Sequence, residues 1–439
     1  RESVGRNFAI GVRINGAEYG IKNGLTPLES QAIAKILEQA GADYLNVSAW
    51  GFGQYSRVCY PEQILYPEPE VPLARQVRRP GALVPPAAVI KSTVNIPVIA
   101  AGRLDAELGE WILKNGMADL IGMNRRFFAD PEYAAKVAAG RLEDIAPCTA
   151  CLECYSSHKQ GKSIRCRINA SFGRGYDFAV KPAIHRKKVI VIGGGPGGME
   201  AARVAAIRGH DVSLYEKETN LGGLMPLATM IKGDEIEDLP AISRYLEQQI
   251  RKLGVRISLG KEADVAMIMK EKPDTVIIAT GGLPTIPDIP GIEKSIVLST
   301  KDLHKQSKFF MNIFEPKLLG WLSQFYLPIG RRVIIIGGLI QGCETAEFLV
   351  KRGRKVIILE ASDKLGAGMP EVSRPRLLWW LAKKGVLLLS GVVVDEVTDK
   401  GVNIITREGD RQTLGADTVM ALVPPAPNTA LVEALKGKV

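Results

Sequence analysis

The sequence predicts an α/β protein with three parts in chain order: the C-terminal half of a (β/α)8 barrel, a cysteine-rich segment and two Rossmann-like units. Three observations predict this fold class. Short β-branched runs alternate with helix-period stretches through residues 1–147, four cysteines follow, and two later apolar strands each end in a glycine-rich turn that enters a helix. Such alternation is typical of parallel sheets covered by helices.

The composition suits a multidomain α/β protein, with 46% hydrophobic residues and 45 glycines in 439 residues. No apolar run is long enough to cross a bilayer, so we predict a soluble, cytoplasmic chain without a transmembrane segment. The net charge of +10 is spread thinly and lacks a basic stripe interleaved with aromatic residues, which argues against nucleic acid as a partner. Attraction for phosphorylated cofactors and acidic substrates explains the charge equally well.

Residues 1–147 contain four βα units. The predicted strands and helices alternate in the order Phe8–Ile14, Pro27–Ala40, Asp43–Ser48, Pro85–Ser92, Pro97–Ala101, Ala106–Asn115, Asp119–Met123 and Pro131–Ala139. Four units are half of an eight-unit barrel, and a four-stranded open sheet is the alternative that periodicity leaves open. The long loop Ala49–Pro86 would lie at the C-terminal rim, where barrel active sites lie.

Four cysteines with C-x2-C-x2-C-x11-C spacing define the segment 148–186: Cys148, Cys151, Cys154 and Cys166. Three thiols two residues apart can surround one compact inorganic core, and a fourth closes the site, which is the ligand pattern of a [4Fe–4S] cluster. Zinc is the alternative, although zinc usually takes two separated C-x2-C pairs. A disulfide framework would suit a small secreted protein instead. We interpret Cys59 and Cys343 as core thiols.

The first glycine-rich turn opens a predicted domain over residues 187–300. The turn Gly193–Gly198 follows a buried strand and precedes a helix, and Glu216 ends the next strand. Glycines at these places let the backbone approach a pyrophosphate at the helix N-terminus, and the carboxylate accepts a hydrogen bond from a ribose hydroxyl. The pattern predicts a dinucleotide site. The residues assigned to it are Gly193, Gly195, Gly198, Glu216, Lys217, Gly223 and Gly281.

A second unit is predicted over residues 331–415. Its turn Gly337–Gly342 again follows a buried strand, and Glu360 follows the first glycine at the same spacing as in the first unit. Leu339 stands where the second fingerprint glycine is expected, and a side chain there would obstruct close approach to a pyrophosphate. Nucleotide binding and a purely structural unit both stay open. An acid at 360 favours NADH over NADPH, because a carboxylate repels a 2′-phosphate. The assigned residues are Gly337, Gly338, Gly342 and Glu360.

The segment between the two nucleotide units, residues 301–330, is strongly apolar at Ser307–Pro328. Glu315-Pro-Lys317 interrupts it, which rules against a membrane-spanning helix. We interpret the segment as a helix packed between domains, with a patch for a partner or a membrane surface as the alternative. Residues 416–439 are predicted to return to the first nucleotide domain.

Together these motifs resemble the iron–sulfur flavoprotein branch of the old yellow enzyme family, which includes 2,4-dienoyl-CoA reductase, 2-enoate reductase, 2-naphthoyl-CoA reductase and, more distantly, trimethylamine dehydrogenase. The resemblance covers essentially the whole sequence. Besides the cysteines and the two glycine-rich turns, it is carried by Pro97–Arg103, Ala118–Arg125, Ala129–Pro131 and Ala416–Val419. Within the family, the stretch Ile340–Leu349 resembles the enoate and aryl-CoA reductases more than the other members.

The resemblance implies FAD in the first Rossmann unit, NADH in the second, a [4Fe–4S] cluster on the four cysteines and FMN in the barrel half. Arg13 would face the N1–C2 carbonyl edge of the flavin. Gly102, Arg103, Asn124 and Arg125 would hold the FMN phosphate, although the family normally has Gly in place of Asn124. Without the resemblance, a surface salt bridge for Arg103 and a buried barrel ion pair for Arg13 are the ordinary interpretations.

The chain lacks segments that the family carries. The missing parts are the first four βα units, which supply the rest of the FMN site and the proton donor to substrate, and a C-terminal Gly-Asp segment that touches FAD. We therefore expect a chain truncated at both ends, which does not turn over substrate by itself. The catalytic proton donor is expected in the missing half.

The resemblance implies an ene-type reductase acting on a small-molecule unsaturated acid or acyl-CoA. NADH would reduce FAD, electrons would cross the cluster singly, and FMN would deliver hydride to an activated C=C bond. An amine dehydrogenase on the same scaffold and an electron-transfer subunit without substrate chemistry are the alternatives. Assembly into a homo-oligomer stays open.

Overall fold

The computed structural model describes residues 3–5, 7–19, 23–51, 81, 83–232, 238–304, 315–371 and 373–438. The chain forms two compact units, residues 1–150 and 151–439. Most of the predicted rim loop, with Cys59, lies outside the described residues, as does the first part of the apolar insert. The finer domain boundaries given above stay predictions.

The first unit alternates strands and helices. Its elements are β1 Gly11–Tyr19, α1 Pro27–Gln39, β2 Tyr44–Gly51, α2 Val84–Lys91, β3 Val98–Ala101, α3 Ala106–Lys114, β4 Leu120–Gly122, α4 Arg125–Ala129 and α5 Tyr133–Ala138, with a 3-10 helix at Leu142–Asp144. The four strands form one parallel sheet in the order β1-β2-β3-β4. Helices connect the successive parallel strands, as parallel pairing requires.

The core of the first unit lies between this sheet and its helices. Leu45 and Val98 point to that face and are fully buried in one cluster with Ile112 of α3. The period of two along a strand sends the intervening residues to the opposite face. Leu120, paired in register with Ile99, is half exposed on that second face.

The first strand is displaced from the predicted Phe8–Ile14. A bulge after Asn15 lets it continue beside β2 as far as Tyr19. The dipeptide Asn15-Gly16 is typical of a turn, but here it lies within the strand. Glycine is needed at position 16 because a Cβ there would lie 2.6 Å from Pro86 Cβ. Strands β2, β3 and β4 each begin one residue after their predicted starts.

The second unit contains the cysteine segment and two Rossmann-like subdomains. Its elements are α6 Glu153–Lys159, α7 Gly175–Phe178, β5 Lys188–Ile192, α8 Pro196–Ile207, β6 Asp211–Tyr215, α9 Met225–Lys232, α10 Leu239–Lys252, β7 Arg256–Ser258, α11 Val265–Glu271, β8 Thr275–Ile278, β9 Gly282–Leu283, β10 Val297–Ser299, α12 Pro316–Leu322, β11 Arg332–Ile336, α13 Ile340–Val350, β12 Lys355–Glu360, α14 Arg374–Lys383, β13 Leu387–Ser390, β14 Val393–Thr398, β15 Gly401–Ile405, β16 Arg411–Gly415, β17 Thr418–Ala421, β18 Ala426–Pro427 and α15 Ala430–Leu435.

Each subdomain is built on a parallel sheet whose strand order reverses at the strand before the glycine-rich turn. The first sheet has the order β7-β6-β5-β8, and the second has the order β10-β17-β11-β12-β13. The switch points therefore lie between β5 and β8 and between β11 and β17. In open α/β sheets, ligands bind outside the carboxyl ends of the strands at such points.

The second subdomain is inserted into the first. Its sheet includes β10 and β17, which lie in ranges that the sequence analysis assigned to the first nucleotide domain. Strands β9 and β18 pair antiparallel where the chain leaves the first subdomain and where it comes back. Beyond β18, Leu431 and Leu435 of α15 pack in one cluster with Ile190 and Ile268 of the first subdomain. The antiparallel sheet β14-β15-β16 joins the core of the second subdomain.

The described part of the apolar insert forms α12, which packs against α9. Arg352 at the end of α13 holds it, because its Nε donates to Ser323 Oγ at 2.7 Å and its Nη2 donates to Gly320 O at 2.8 Å. Trp321 and Phe325 keep 53% and 73% of their surface exposed. The described helices include none with the length and apolar character of a bilayer span.

Candidate functional site

The four residues predicted to hold the FMN phosphate come together at the carboxyl edge of the first sheet. Strands β3 and β4 are parallel neighbours, so the loops that follow them leave the sheet side by side. The first loop carries Gly102 and Arg103, and the second carries Asn124 and Arg125 at the start of α4. Asn124 is exposed, whereas the two arginines are half-buried.

Arg126, which the sequence analysis did not single out, joins these two loops. Its Nε donates to Leu104 O at 2.6 Å, and its Nη2 lies 3.4 Å from Asp105 Oδ2. The only sequence signal for it was its place directly after the predicted phosphate residues. Three guanidinium groups therefore belong to this edge of the sheet, a set that suits the planar recognition of a phosphate.

Arg103 has a left-handed backbone conformation with φ at 54°, which is unusual for a residue with a side chain. Burial lowers the pKa of its guanidinium, which the charge of Cys148 raises and that of Arg126 lowers further. No carboxylate of the described residues pairs with it, so a surface salt bridge does not account for it there. A half-buried cation on strained backbone without a described counter-ion fits an anionic ligand.

Arg13 lies on the face of the sheet opposite the helices. It pairs in register with Asn46, and its Nη2 donates to Ser48 Oγ at 3.2 Å. Arg13 is exposed, so the buried ion pair considered above is wrong for it. Asn46 Oδ1 is buried and has no hydrogen-bond partner among the described residues. An unsatisfied amide oxygen beside an arginine fits the polar edge of a flavin ring.

The cysteine segment has the donors and the backbone of an iron–sulfur site. Its four cysteines are half-buried and none forms a disulfide; Cys148 belongs to the first unit and the other three to the second. Between them, Ala150 and Leu152 take left-handed conformations with φ at 58° and 62°. Alternating right- and left-handed residues form backbone N–H nests, which occur at many Fe–S sites. Even so, no three Cys, His, Asp or Glu side chains of the described residues lie close enough together to hold a metal ion.

The first Rossmann turn requires glycine at two of its positions. A Cβ on Gly193 would collide with Ala279 O across the switch point, and a Cβ on Gly198 would collide with Gly193 O. Gly194 N–H donates to Glu216 Oε2 at 2.5 Å. The turn, the acid and the strand ends therefore form one crevice at the carboxyl edge of the sheet.

Gly195 is the N-cap of α8 and faces open space within this crevice. A Cβ built on it would meet nothing nearer than Gly223 Cα at 4.0 Å. Open space in front of a helix N-terminus is what close approach of a pyrophosphate requires. Lys217 and Gly281 are exposed beyond the carboxyl ends of β6 and β8.

The second Rossmann turn repeats these contacts, with each turn glycine and the acid 144 positions after its counterpart. A Cβ on Gly337 would collide with Leu422 O, and a Cβ on Gly342 would collide with Gly337 O. Gly338 N–H donates to Glu360 Oε2 at 2.7 Å. The four residues predicted to bind NADH therefore lie together.

Ser362 is a further site residue that the sequence analysis missed. Its Oγ and its N–H donate to Glu360 Oε1 at 2.7 Å and 2.9 Å. At the equivalent place in the first unit, only the N–H of Glu218 donates to Glu216, at 2.8 Å. The carboxylate of Glu360 therefore already accepts three hydrogen bonds, which a ribose hydroxyl would have to share.

Two protein-family models match the chain. Residues 187–439 match the pyridine nucleotide-disulphide oxidoreductase family, and residues 1–144 match the NADH:flavin oxidoreductase / NADH oxidase family. The two matches confirm the predicted fold class of a barrel fragment followed by Rossmann-like units. They also show that its parts are flavin- and NAD(P)H-dependent oxidoreductase domains.

Several named proteins are similar to almost the whole chain. The NADH oxidase of Thermoanaerobacter brockii is 33% identical over 431 residues, which are 97% of this chain and 61% of the relative. The cinnamate reductase of Clostridium sporogenes is 30% identical over 398 residues, which are 89% and 54% of the two chains. The solved complex of 2-naphthoyl-CoA reductase with 2-naphthoyl-CoA matches with a TM-score of 0.80 and 30% identity, covering 96% of this chain and 59% of the other. The chain thus spans 54% to 61% of the length of these proteins.

Proposed function

This chain belongs to the old yellow enzyme/2,4-dienoyl-CoA reductase-like flavoprotein family, and from that premise we propose that it is the NADH-oxidising and electron-carrying part of an ene-type reductase. In the proposed reaction the first Rossmann crevice would hold FAD and the second would bind NADH as hydride donor, the four cysteines would hold a [4Fe–4S] cluster that supplies one-electron transfer, and the first unit would hold FMN, which would supply hydride for an activated C=C bond. The substrate is an enoate or an enoyl- or aryl-CoA. The names of two similar proteins, cinnamate reductase and 2-naphthoyl-CoA reductase, support this substrate class.

The observation that carries the proposal is the repeated crevice of the second unit. In both copies a glycine N–H holds a buried acid at the carboxyl edge of a parallel sheet. FAD and NADH share the adenosine and pyrophosphate groups that such a crevice recognises. The open space at Gly195 supports a tightly held FAD in the first copy. The side chain of Leu339 would obstruct the pyrophosphate in the second copy, which suits a cofactor that is bound weakly and exchanged, such as NADH.

The first unit supplies the groups for FMN. Arg103, Arg125 and Arg126 would hold the phosphate, with the exposed Asn124 beside them. Gly102 would let the loop turn close to that phosphate, because its φ of 118° is a conformation that glycine adopts readily and other residues rarely adopt. Arg13 and Asn46 would meet the polar edge of the flavin ring, where a cation stabilises negative charge. We expect the proton donor to substrate to lie outside these residues.

Four half-buried thiols support a [4Fe–4S] cluster on Cys148, Cys151, Cys154 and Cys166. When bound, such a cluster supplies one-electron transfer between centres. The left-handed residues Ala150 and Leu152 would turn backbone N–H groups toward the thiolates, which lowers the energy of the negative charge they carry.

Anaerobic reduction by NADH tests the proposal. The chain, purified with FAD, is mixed with NADH in a stopped-flow spectrometer, and the flavin absorbance is followed. We expect NADH to bleach the flavin, and we expect Gly195→Val protein, which should lack FAD, to show no such phase. In the full-length protein, bleaching by a tertiary amine such as dimethylglycine but not by NADH would replace the reductase with the amine dehydrogenase. In the full-length protein, reoxidation of the reduced flavin by cinnamate tests the substrate class.

A further inference from the structure

The two Rossmann turns allow a direct comparison of Gly195 with Leu339. Gly195 is the N-cap of α8, with φ −71° and ψ 175°. Leu339 is the N-cap of α13, with φ −74° and ψ −168°. The two backbones therefore have nearly the same conformation, and the difference between the units at this point is the leucine side chain itself.

The side chain of Leu339 starts at the position where, in the first unit, Gly195 leaves open space. A Cβ on Gly195 would meet only Gly223 Cα, at 4.0 Å, whereas Leu339 carries four side-chain carbons at the equivalent position. Close approach of a pyrophosphate to this backbone needs a residue without a side chain. The second unit therefore has a steric obstacle that the first lacks.

The loop facing the turn also differs between the units. Both loops are anchored in the same way, because Gly222 N–H donates to Gly194 O at 2.9 Å and Gly366 N–H donates to Gly338 O at 2.7 Å. The next residue is Gly223 in the first unit, with φ at 56°, and Ala367 in the second, which is not among the residues of positive φ. The two loops thus diverge directly after their shared anchor.

In the second unit this divergence turns a carbonyl toward the helix. Ile340 N–H, in the first turn of α13, donates to Ala367 O at 3.1 Å. The equivalent residue of the first unit is Pro196, which has no N–H. The first N–H groups of a helix are those that an anion would use, so Ala367 O takes one such donor and places a partial negative charge in front of the helix.

We propose that Leu339, acting with the Leu365–Gly368 loop, sets the NADH affinity of the second unit. The leucine side chain and the Ala367 carbonyl cover the N-terminus of α13, and the dinucleotide binds only when both move aside. Leu339 is thus an affinity-determining residue, and its replacement by glycine should remove one of the two obstacles and leave the Ala367 carbonyl as the other. This inference rests on the proposed function, because it takes the second unit as the NADH site.

A titration with NADH tests the inference on the full chain. The protein is purified with FAD, the flavin is first reduced with dithionite so that NADH cannot react with it, and the dissociation constant of NADH is then measured anaerobically from the quenching of protein fluorescence for wild type, Leu339→Ala and Leu339→Gly. We expect the constant to fall stepwise in that order, by about tenfold for glycine, which is about 1.4 kcal/mol. Glycine is a better N-cap than leucine, so the melting temperature without NADH should not fall. FAD content should stay the same in all three proteins.

The matched control is Leu387→Ala, at the exposed start of β13 and at the opposite edge of the same sheet. Its NADH affinity should equal that of the wild type. If wild type binds NADH and Leu339→Gly binds it equally or more weakly, the inference is overturned while the proposed function stands. If only Leu339→Gly binds NADH, the inference is supported. If neither binds, both the inference and the NADH site are wrong.

Discussion

Replacing Gly195 with valine should separate cofactor binding from folding. The structure leaves room for the new side chain, because a Cβ there meets nothing nearer than Gly223 Cα at 4.0 Å. Valine is a poorer N-cap than glycine, which costs roughly 1 kcal/mol of stability. The folded protein should therefore persist with only a slightly lower melting temperature.

The loss of FAD affinity should be larger than this loss of stability. The branched side chain of valine would displace the pyrophosphate from the N-terminus of α8. A lost hydrogen bond to a charged group costs about 1.5–3 kcal/mol, which corresponds to about a 10- to 150-fold weaker complex. We expect the purified variant to be largely colourless in the flavin bands.

The assay compares the ratio of FAD to protein after desalting, the dissociation constant for added FAD and the thermal melting curve. Gly197→Val is the matched control, because Gly197 lies in the same helical turn, is exposed and has nothing within 4 Å of its Cβ. The control should retain FAD. A Gly195→Val protein that keeps its FAD refutes the placement of the cofactor, and one that fails to fold refutes the packing argument.

Three further predictions concern other parts of the chain. Anaerobically purified protein should contain about four iron and four acid-labile sulfide atoms per chain, and Cys151→Ser should lower both; stoichiometric zinc without sulfide would contradict this. Glu360→Gln should narrow the preference for NADH over NADPH by about tenfold, because a neutral amide no longer repels a 2′-phosphate; an unchanged ratio of dissociation constants would argue against an acid-based preference. Burial and the Glu271 carboxylate raise the pKa of Tyr215 from 10.0 to about 12, so its contribution to the free energy of unfolding is present below pH 10 and is lost as the pH rises towards 12. The free energy of unfolding, measured by urea denaturation between pH 10 and pH 12, should fall more steeply with pH in wild type than in Tyr215→Phe. Equal slopes in the two proteins would contradict the raised pKa of Tyr215.

Local sequence patterns predicted the architecture well because they are short-range. The glycine spacings of the two turns and the acids at the ends of β6 and β12 follow from the backbone geometry of one strand–turn–helix unit. The register of β1 was harder to predict, because Asn15-Gly16 has the composition of a turn and only the packing of Pro86 against Gly16 shows why a glycine is needed within a strand.

The residues that sequence reasoning missed act through contacts between separate segments. Arg126 joins the loops after two different strands, and Asn46 matters because of its partner on β1. The alternation of Asn46 and Ser48 with apolar residues was a usable signal for a polar inner face. For Ser362, the only signal in the sequence was its position two residues after Glu360. No local rule distinguishes a serine that donates a hydrogen bond to that acid from any other loop serine.

The insertion of the second subdomain into the first has a consequence for the order in which the chain folds. The cluster containing Ile190 and Ile268 is completed by Leu431 and Leu435, which are synthesised only after the whole inserted subdomain. Contacts of such long sequence separation form slowly, because the entropy of closing the loop is lost before they stabilise anything. The inserted subdomain is one continuous stretch of chain, and β9 and β18 pair at its two ends. It can therefore fold first, which brings the two parts of the first subdomain closer together and shortens the loop that must be closed. During synthesis the apolar side of α11 therefore stays uncovered until α15 has been made, and exposed apolar surface of this kind favours aggregation of the nascent chain.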